Sequence, residues 1–495
     1  MSLMGIVLGQ RQMVGIVMDA RGQVLARARG GYGSEDGGPG PALSRLWPTV
    51  RETLQTLARK SERDPVSALG LCSTGGAAVG VSQGGGFIDC CLAPEEQPCE
   101  AGLGWAAEVS PDDYYQITGR LPTAAGLYGR LGRQVASHVE SYRAVWRYLP
   151  LASLIGYHLG GRAVCDPTLA AAMGMYDIRE GRWSSRLLSA GRIPLNKLPE
   201  VVPSGDTVGQ LARGRAEELG LRPGVKVVLG GLDMACRALG AGVLATGQAS
   251  LMLGSALELL VAYQAIALMP LLQRQGIDRW PHALADVWQS RLISPRGAGM
   301  LRWLRDQLAA VEAREARSRG SDLYADLLRE MPSDENAPLV IPPSTVRGTD
   351  PLGRGAVLDL NLGTTRGEII KGMLEGTAFE CLSLVERADS AGLGIDALRV
   401  LGGGVRSDPW LQLLADALDR PLERTAMDRP APLGAAIMAG VGTGLFASAD
   451  EGVRRTVRIT AQIGPDAERA AAYAIKKERY RAAKHRLGLD RDALG

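Results

Sequence analysis

The run Val225-Lys226-Val227-Val228-Leu229 passes straight into Gly230-Gly231-Leu232-Asp233, and glycine returns at Gly240 and Gly242. A short apolar run rich in valine reads as a buried β-strand. Glycines at its end permit a tight turn and a close backbone approach. A carboxylate is then set at the edge of a strand, where burying it unpaired would be costly. In open α/β sheets the carboxyl edge of the strands is where ligands bind. Two readings of Asp233 follow. It is a candidate general base, or it caps the next helix through its side-chain oxygen.

The same strand-into-glycine pattern recurs. Ser250-Leu251-Met252-Leu253 runs into Gly254-Ser255, and Leu398 to Leu401 runs into Gly402-Gly403-Gly404. Between such strands lie amphipathic helices. Ala42 to Lys60 places Leu43, Leu46, Val50, Leu54 and Leu57 three and four apart, and Ile369 to Arg387 does likewise. Apolar Trp146 to Leu159, the mixed segment Arg302 to Glu315, and 465–486 read as further helices. Leu433 to Val441, rich in Ala and Gly, reads as a helix suited to close packing. The alternation of strands and helices is that of an α/β protein. A chain of 495 residues exceeds one hydrophobic core. A coarse echo between halves suggests a duplicated α/β domain, with residues 1–245 and 246–495 as the two parts.

Bulk properties exclude several classes. The net charge of +3 is too small to argue for nucleic acid or an anionic membrane surface. No apolar run reaches membrane-spanning length, and the N-terminus lacks the pattern of a signal peptide. Seven scattered cysteines with no CxxC pair favour reduced thiols and a cytoplasmic setting.

Three glycine turns could carry chemistry. Gly254-Ser255 offers open backbone and a hydroxyl to phosphate oxygen, or is an ordinary tight turn. Gly402-Gly403-Gly404 precedes the helix Leu411 to Leu418 and makes a surface free of side chains, with Ser407 and Gln412 as donors. It is neither a Walker A loop nor GxGxxG, and a plain strand-to-helix link reads the same way. Asp233 could take a proton from a hydroxyl attacking a γ-phosphate.

Taken in order, these segments resemble the FGGY family of carbohydrate kinases, near its xylulokinase and glycerol kinase branch. The resemblance rests on Ile117-Thr118-Gly119, on Cys165-Asp166-Pro167-Thr168 through Asp177 and Trp183, and on Gly230 to Gly242. It continues through Gly254-Ser255, Trp303-Leu304-Arg305-Asp306, Arg354-Gly355 with Leu374-Glu375-Gly376, and Gly402 to Asp416 with Leu433-Gly434-Ala435-Ala436. It implies two ribonuclease H-like domains of the actin and sugar-kinase type, with a cleft between them. It further implies ATP and magnesium, Asp233 as base and as a water-mediated metal contact, and Leu232 and Asp233 on the substrate side. Gly254, Ser255, Gly297, Gly402, Gly403, Gly404, Ser407 and Gln412 fall on the nucleotide side. A small sugar or polyol is the implied partner, and homodimers are common in the family.

The N-terminal part departs from the family pattern. Where the family has Asp-x-Gly-Thr, this chain has Val7-Leu8-Gly9-Gln10, and valine offers magnesium no oxygen. Arg11 reads as a solvated turn residue. Cys72-Ser73-Thr74-Gly75-Gly76-Ala77 lacks the usual sugar-contacting Gln and His. The Trp-x-Asp-x-Arg sugar motif has no counterpart near Glu95 and Glu96. Two functions therefore stay open: a kinase of an unusual sugar or polyol, and a weak or inactive kinase-like protein that binds nucleotide and regulates.

Overall fold

The computed structural model describes residues 1–32, 43–91, 108–122, 126–137, 139–254, 256–264, 270–297, 299–321, 323–332, 337–344 and 353–489. The chain forms two compact units that interleave in sequence. The first takes Met1–Ala245, Ala262–Ser290 and Arg429–Val457; the second takes Thr246–Val261, Arg291–Asp428 and Arg458–Gly495.

The first unit is built on strands β1 (Ser2–Leu8), β2 (Gln12–Met18), β3 (Val24–Gly31), β4 (Val66–Ser73), β5 (Thr207–Gln210) and β6 (Lys226–Leu232). Their order is β5-β6-β4-β1-β2-β3. The three central strands, β6, β4 and β1, are parallel, and β2, β3 and β5 join antiparallel. The helices Leu43–Lys60 and Leu151–Gly160 pack on this sheet, the first against β2 and β3, the second against β4, β5 and β6.

The helix Ala431–Thr443 packs on the central strands, and glycines set how closely it approaches. A Cβ on Gly5 would stand 1.9 Å from the Pro432 carbonyl oxygen, and one on Gly70 would stand 1.9 Å from that of Ala435. In return a Cβ on Gly434 would stand 1.9 Å from the Cys236 carbonyl oxygen, and one on Gly240 2.1 Å from that of Pro430. Helix and sheet thus meet backbone to backbone at Gly5 and Gly70, and this helix meets its neighbour Asp233–Gly240 in the same way at Gly434 and Gly240. The small residues expected of this helix are the ones that permit the contact.

The second unit centres on β7 (Gln248–Leu253), β8 (Leu257–Tyr263), β9 (Trp288–Ser294), β10 (Ala397–Leu401), β11 (Leu422–Thr425) and β12 (Ile459–Ile463). They lie in the order β9-β8-β7-β10-β11-β12, with β7, β10 and β11 parallel. A hairpin followed by parallel strands thus appears in both units. The helix Arg366–Ser390 opens on a capping box between Thr365 and Glu368. Its buried Glu375 meets Lys476 at 2.5 Å and Tyr473 at 3.2 Å, both from the helix Ala467–Arg486. One turn further on, Glu380 accepts from Tyr480 and Lys484, each at 2.7 Å, and from Ser294 at 2.9 Å. Burial pushes the Glu375 carboxyl up, and Lys476 opposes this.

Two expected helices differ. Trp146 to Leu159 divides at Pro150, which stands as N-cap between a short strand, Arg147–Leu149, and the helix Leu151–Gly160. Proline disfavours helix in the residue before it, so the apolar run cannot be helical throughout. Arg302 to Glu315 is likewise two helices, Gly299–Gln307 and Ala310–Arg319, with Ala309 at φ −138° between them.

Two outcomes test this packing. Gly70→Ala should destabilise the protein by about 1–3 kcal/mol, the range for overpacking. Gly214→Ala, in a helix and with open space around it, should be neutral or stabilise by up to about 1 kcal/mol. Urea midpoints of the two variants read the difference. Lys476→Met should lower stability by about 3 kcal/mol because it strands the Glu375 carboxylate. The double change with Glu375→Leu should recover most of that loss in the same titration.

Candidate active site

β6 lies beside β4 in register from Lys226 with Ala68 to Leu229 with Leu71. The register then slips, so that Gly231 pairs with Cys72 and Leu232 with Ser73. The slip is a bulge, and Gly231 takes it up at φ +108°, a conformation L side chains rarely adopt. There is also no room for a side chain. A Cβ on Gly231 would stand 2.6 Å from both Asp166 Oδ2 and Thr168 Oγ1. The bulge turns the Leu232 N–H towards Thr168 Oγ1, to which it donates at 2.7 Å.

Asp233 follows as the first residue of the helix Asp233–Gly240. The N-cap is Leu232, and no side chain caps this helix. The capping reading of Asp233 is therefore corrected: its residue lies inside the first turn, where the helix dipole favours a carboxylate.

Beneath this turn lies a small polar core. The Asp166 carboxylate is fully buried. It accepts from Ser204 Oγ at 2.6 Å, Thr168 Oγ1 at 2.8 Å, Leu169 N at 3.0 Å and Thr168 N at 3.3 Å. Burial raises its pKa above the usual carboxylate range, and these donors oppose the rise. Asp166 is also the N-cap of the helix Pro167–Ala172.

The ends of β1 and β4 reach the same edge. Leu8 pairs with Ser73, and Thr74 N donates to the Leu8 carbonyl at 3.0 Å. Ser73 Oγ and Thr74 Oγ1 are buried without hydrogen-bond partners. A Cβ on Gly75 would touch Ala172 Cβ and Leu232 Cδ1, each at 2.9 Å. Arg130 donates to the Gly76 carbonyl at 2.6 Å. Arg120 donates to the carbonyls of Ala171 and Ala172, and its guanidinium lies 4.4 Å over the ring of Trp280. Trp280 Nε1 is buried and unpartnered. Glycines at 75 and 76 leave the backbone carbonyl open to an arginine, where larger polar side chains were the family expectation.

Val7 packs against buried Cys72, Cys236 and Ala435. The Cys236 thiol donates to the Gly230 carbonyl at 3.2 Å, and burial pushes the Cys72 thiol well above its ordinary pKa. Among the described residues no three His, Cys, Asp or Glu side chains group as metal ligands. With valine at position 7, these residues do not fit a magnesium cage supplied by the protein. Arg11 is exposed, as expected of a turn residue. Its turn is pinned by the buried Tyr32, whose hydroxyl donates to the Gly9 carbonyl. Glu95 and Glu96 lie outside the described residues.

In the second unit β7 and β10 end side by side, with Met252 opposite Leu401. Gly254 and Gly402 follow. Gly402 stands at φ +104°, and a Cβ there would meet the Leu253 carbonyl oxygen at 2.6 Å. Its N–H donates to the Asp428 carbonyl at 2.8 Å. Gly403 faces open space, while a Cβ on Gly404 would strike the Trp410 indole nitrogen at 2.8 Å. Ser407 caps the helix Asp408–Leu418, its Oγ accepting from Trp410 N. The structure thus brings together Gly254, Gly402, Gly403, Gly404 and Ser407. Gln412 differs from expectation. Its amide donates to Asp416 Oδ1 at 2.8 Å and to the Gly464 carbonyl at 2.9 Å, so the donor is spent inside the unit. Gly297 is buried next to Arg296, which donates to the Pro342 carbonyl at 2.7 Å. Ser255 lies outside the described residues.

Comparison with known proteins gives this arrangement a family. The family model described as the N-terminal domain of the FGGY family of carbohydrate kinases matches residues 3–240. Its C-terminal counterpart matches residues 291–443. The chain is 27% identical over 395 residues to an autoinducer-2 kinase of Escherichia coli K12, covering 76% of this chain and 72% of that protein. A xylulose kinase of Rhodospirillum rubrum superposes at a TM-score of 0.82 with 23% identity, over 98% of this chain and 99% of the other. A Plasmodium falciparum glycerol kinase with ADP superposes at 0.81 with 15% identity, over 98% of each chain. These structures share the two-domain, actin-like α/β fold. By the match of both domains, in order and over most of its length, the chain belongs to the FGGY family of carbohydrate kinases.

Proposed function

We propose that this protein transfers the γ-phosphoryl group of ATP to a hydroxyl of a small sugar or polyol, with Asp233 as the general base. The observation that carries the reading is the placement of Asp233. A bulge that only glycine can form delivers it to the carboxyl edge of three parallel strands, and it is not spent as a cap. The buried, unpartnered hydroxyls of Ser73 and Thr74 and the indole N–H of Trp280 supply the polar groups that a hydroxyl-rich ligand would satisfy.

Phosphoryl transfer asks the protein mainly for position and charge. Asp233 takes the proton as the substrate oxygen attacks phosphorus, and the bond from the γ-phosphorus to the bridging oxygen of ADP breaks. Magnesium enters with ATP, held by phosphate oxygens and water, and counts as part of the substrate. Gly254 and Gly402 to Gly404 leave backbone open for the nucleotide, with Ser407 beside them. The reading places the enzyme in the cytoplasm, where Cys72, Cys165, Cys236 and Cys381 stay free thiols.

A second reading, a nucleotide-binding regulator with little turnover, is favoured by one observation. Val7 presents hydrocarbon to an apolar cluster where an acid would stand.

A coupled ADP-release assay over polyols, aldoses and ketoses decides between them. The kinase reading expects turnover with at least one compound, and Asp233→Asn to lower kcat by about 100- to 10,000-fold. No turnover over the panel, with ATP still raising the melting temperature, favours the regulator. Val7→Asp should raise kcat at limiting magnesium while lowering the melting temperature, because a carboxylate enters an apolar cluster. An unchanged magnesium dependence would show that the valine does not weaken metal binding.

A further inference from the structure

We infer that Thr168, polarised by Asp166, is a positioning residue for Asp233; the inference rests on the reading of Asp233 as the base. A threonine hydroxyl has one proton and two lone pairs. The Leu232 N–H can only donate, so Thr168 Oγ1 accepts there and its own proton goes to Asp166 Oδ2 at 2.8 Å. The lone pairs of Thr168 Oγ1 are then turned to the Leu232 N–H at 2.7 Å. The bonds form a directed series: Leu232 N–H to Thr168, Thr168 O–H to Asp166, with Ser204 O–H donating to the same Asp166 oxygen at 2.6 Å.

The far end of the series is held from both sides. Asp166 follows the strand Val164–Cys165, which pairs with Glu200–Val201, and Val202 N donates to the Cys165 carbonyl at 2.8 Å. Ser204 comes next along that segment, and Gly205 N donates to the Leu229 carbonyl of β6 at 2.8 Å. The polar core is therefore tied to β6 at Leu229 by Gly205 and at Leu232 by Thr168. Between those two bonds lies the bulge. Its shape fixes the direction in which the chain enters the Asp233 helix.

Asp166 already has a structural task as N-cap of the helix Pro167–Ala172, which two backbone N–H groups of Thr168 and Leu169 fulfil. The bond to Leu232 is a separate matter. It reaches across 64 residues of sequence to the residue before the base. Helix capping alone does not require the hydroxyl of Thr168.

The test uses the intact protein with Thr168→Val and Thr168→Ser. Thr168→Val removes the acceptor at nearly constant volume, and Thr168→Ser restores it. The expected result for the valine variant is a folded protein whose kcat falls by about 10- to 100-fold, as misplacement of a reacting group does, with KM for ATP unchanged. Thr168→Ser should recover most of the loss. Combined with Asp233→Asn, Thr168→Val should cause no further fall, because both act through one carboxylate. An equal fall in both backgrounds would overturn the inference, as would an unchanged kcat.

Amide hydrogen exchange of the peptide spanning 226–236 gives a readout independent of turnover. Exchange at Leu232 should accelerate in the valine variant and return in the serine variant. Unchanged exchange overturns the inference even if the wild-type protein proves to have no kinase activity. Wild-type activity that survives Asp233→Asn defeats the assignment of the base, while accelerated exchange would still uphold the hydrogen-bond series. If Thr168→Val fails to fold, Ser204→Ala weakens the same carboxylate from the other side, and the same two readouts apply.

Discussion

Backbone meets backbone where the helix Ala431–Thr443 lies on the first sheet, and much of the first unit is arranged around that contact. Cβ atoms are absent on both sides, at Gly5 and Gly70 in the strands, at Gly434 in the helix and at Gly240 in its neighbour. Close packing of this kind leaves no slack, because protein interiors are packed like crystals and transmit small displacements. Ala435 from this helix touches Cys72 and Cys236, and Cys236 in turn holds the Gly230 carbonyl. The strand that ends at Asp233 is therefore fixed on one face by this helix and on the other by the Asp166 and Thr168 core.

The fold was largely legible because its signals are local. Apolar runs ending in glycine mark strands, and leucines three and four apart mark helices. Pro150 shows the limit of that reading: hydrophobicity alone ran through it, and the ring's demands on its neighbour did not enter the count. The break at Ala309 has no such clear mark in the sequence.

At the site, Asp233 stood out because a carboxylate between glycines is an uneconomical way to build a core. Its support did not stand out. Asp166 and Thr168 look like an ordinary helix start, and nothing local connects them to Leu232. The link exists only once the bulge at Gly231 turns one N–H aside. Gln412 shows the opposite limit. A side chain beside a glycine turn reads as a donor to a ligand, but Gly464, far along the chain, claims the proton first. Polar groups are assigned by long-range geometry, whereas strands and helices are assigned by near neighbours.

The interleaving of the two units also bears on how the protein is made. β1, β4 and β6 leave the ribosome early, with the face that Ala431–Thr443 will cover still bare. That face stays open while the strands of the second unit through β11 are synthesised. Its glycine-lined surface can accept only a helix with equally small residues at the contact, which narrows what else could seat there in the meantime. The first unit is thus completed by one of the later segments of the chain. The first half of the gene therefore does not encode a finished unit, because residues 1–245 still lack Ala262–Ser290 and Arg429–Val457.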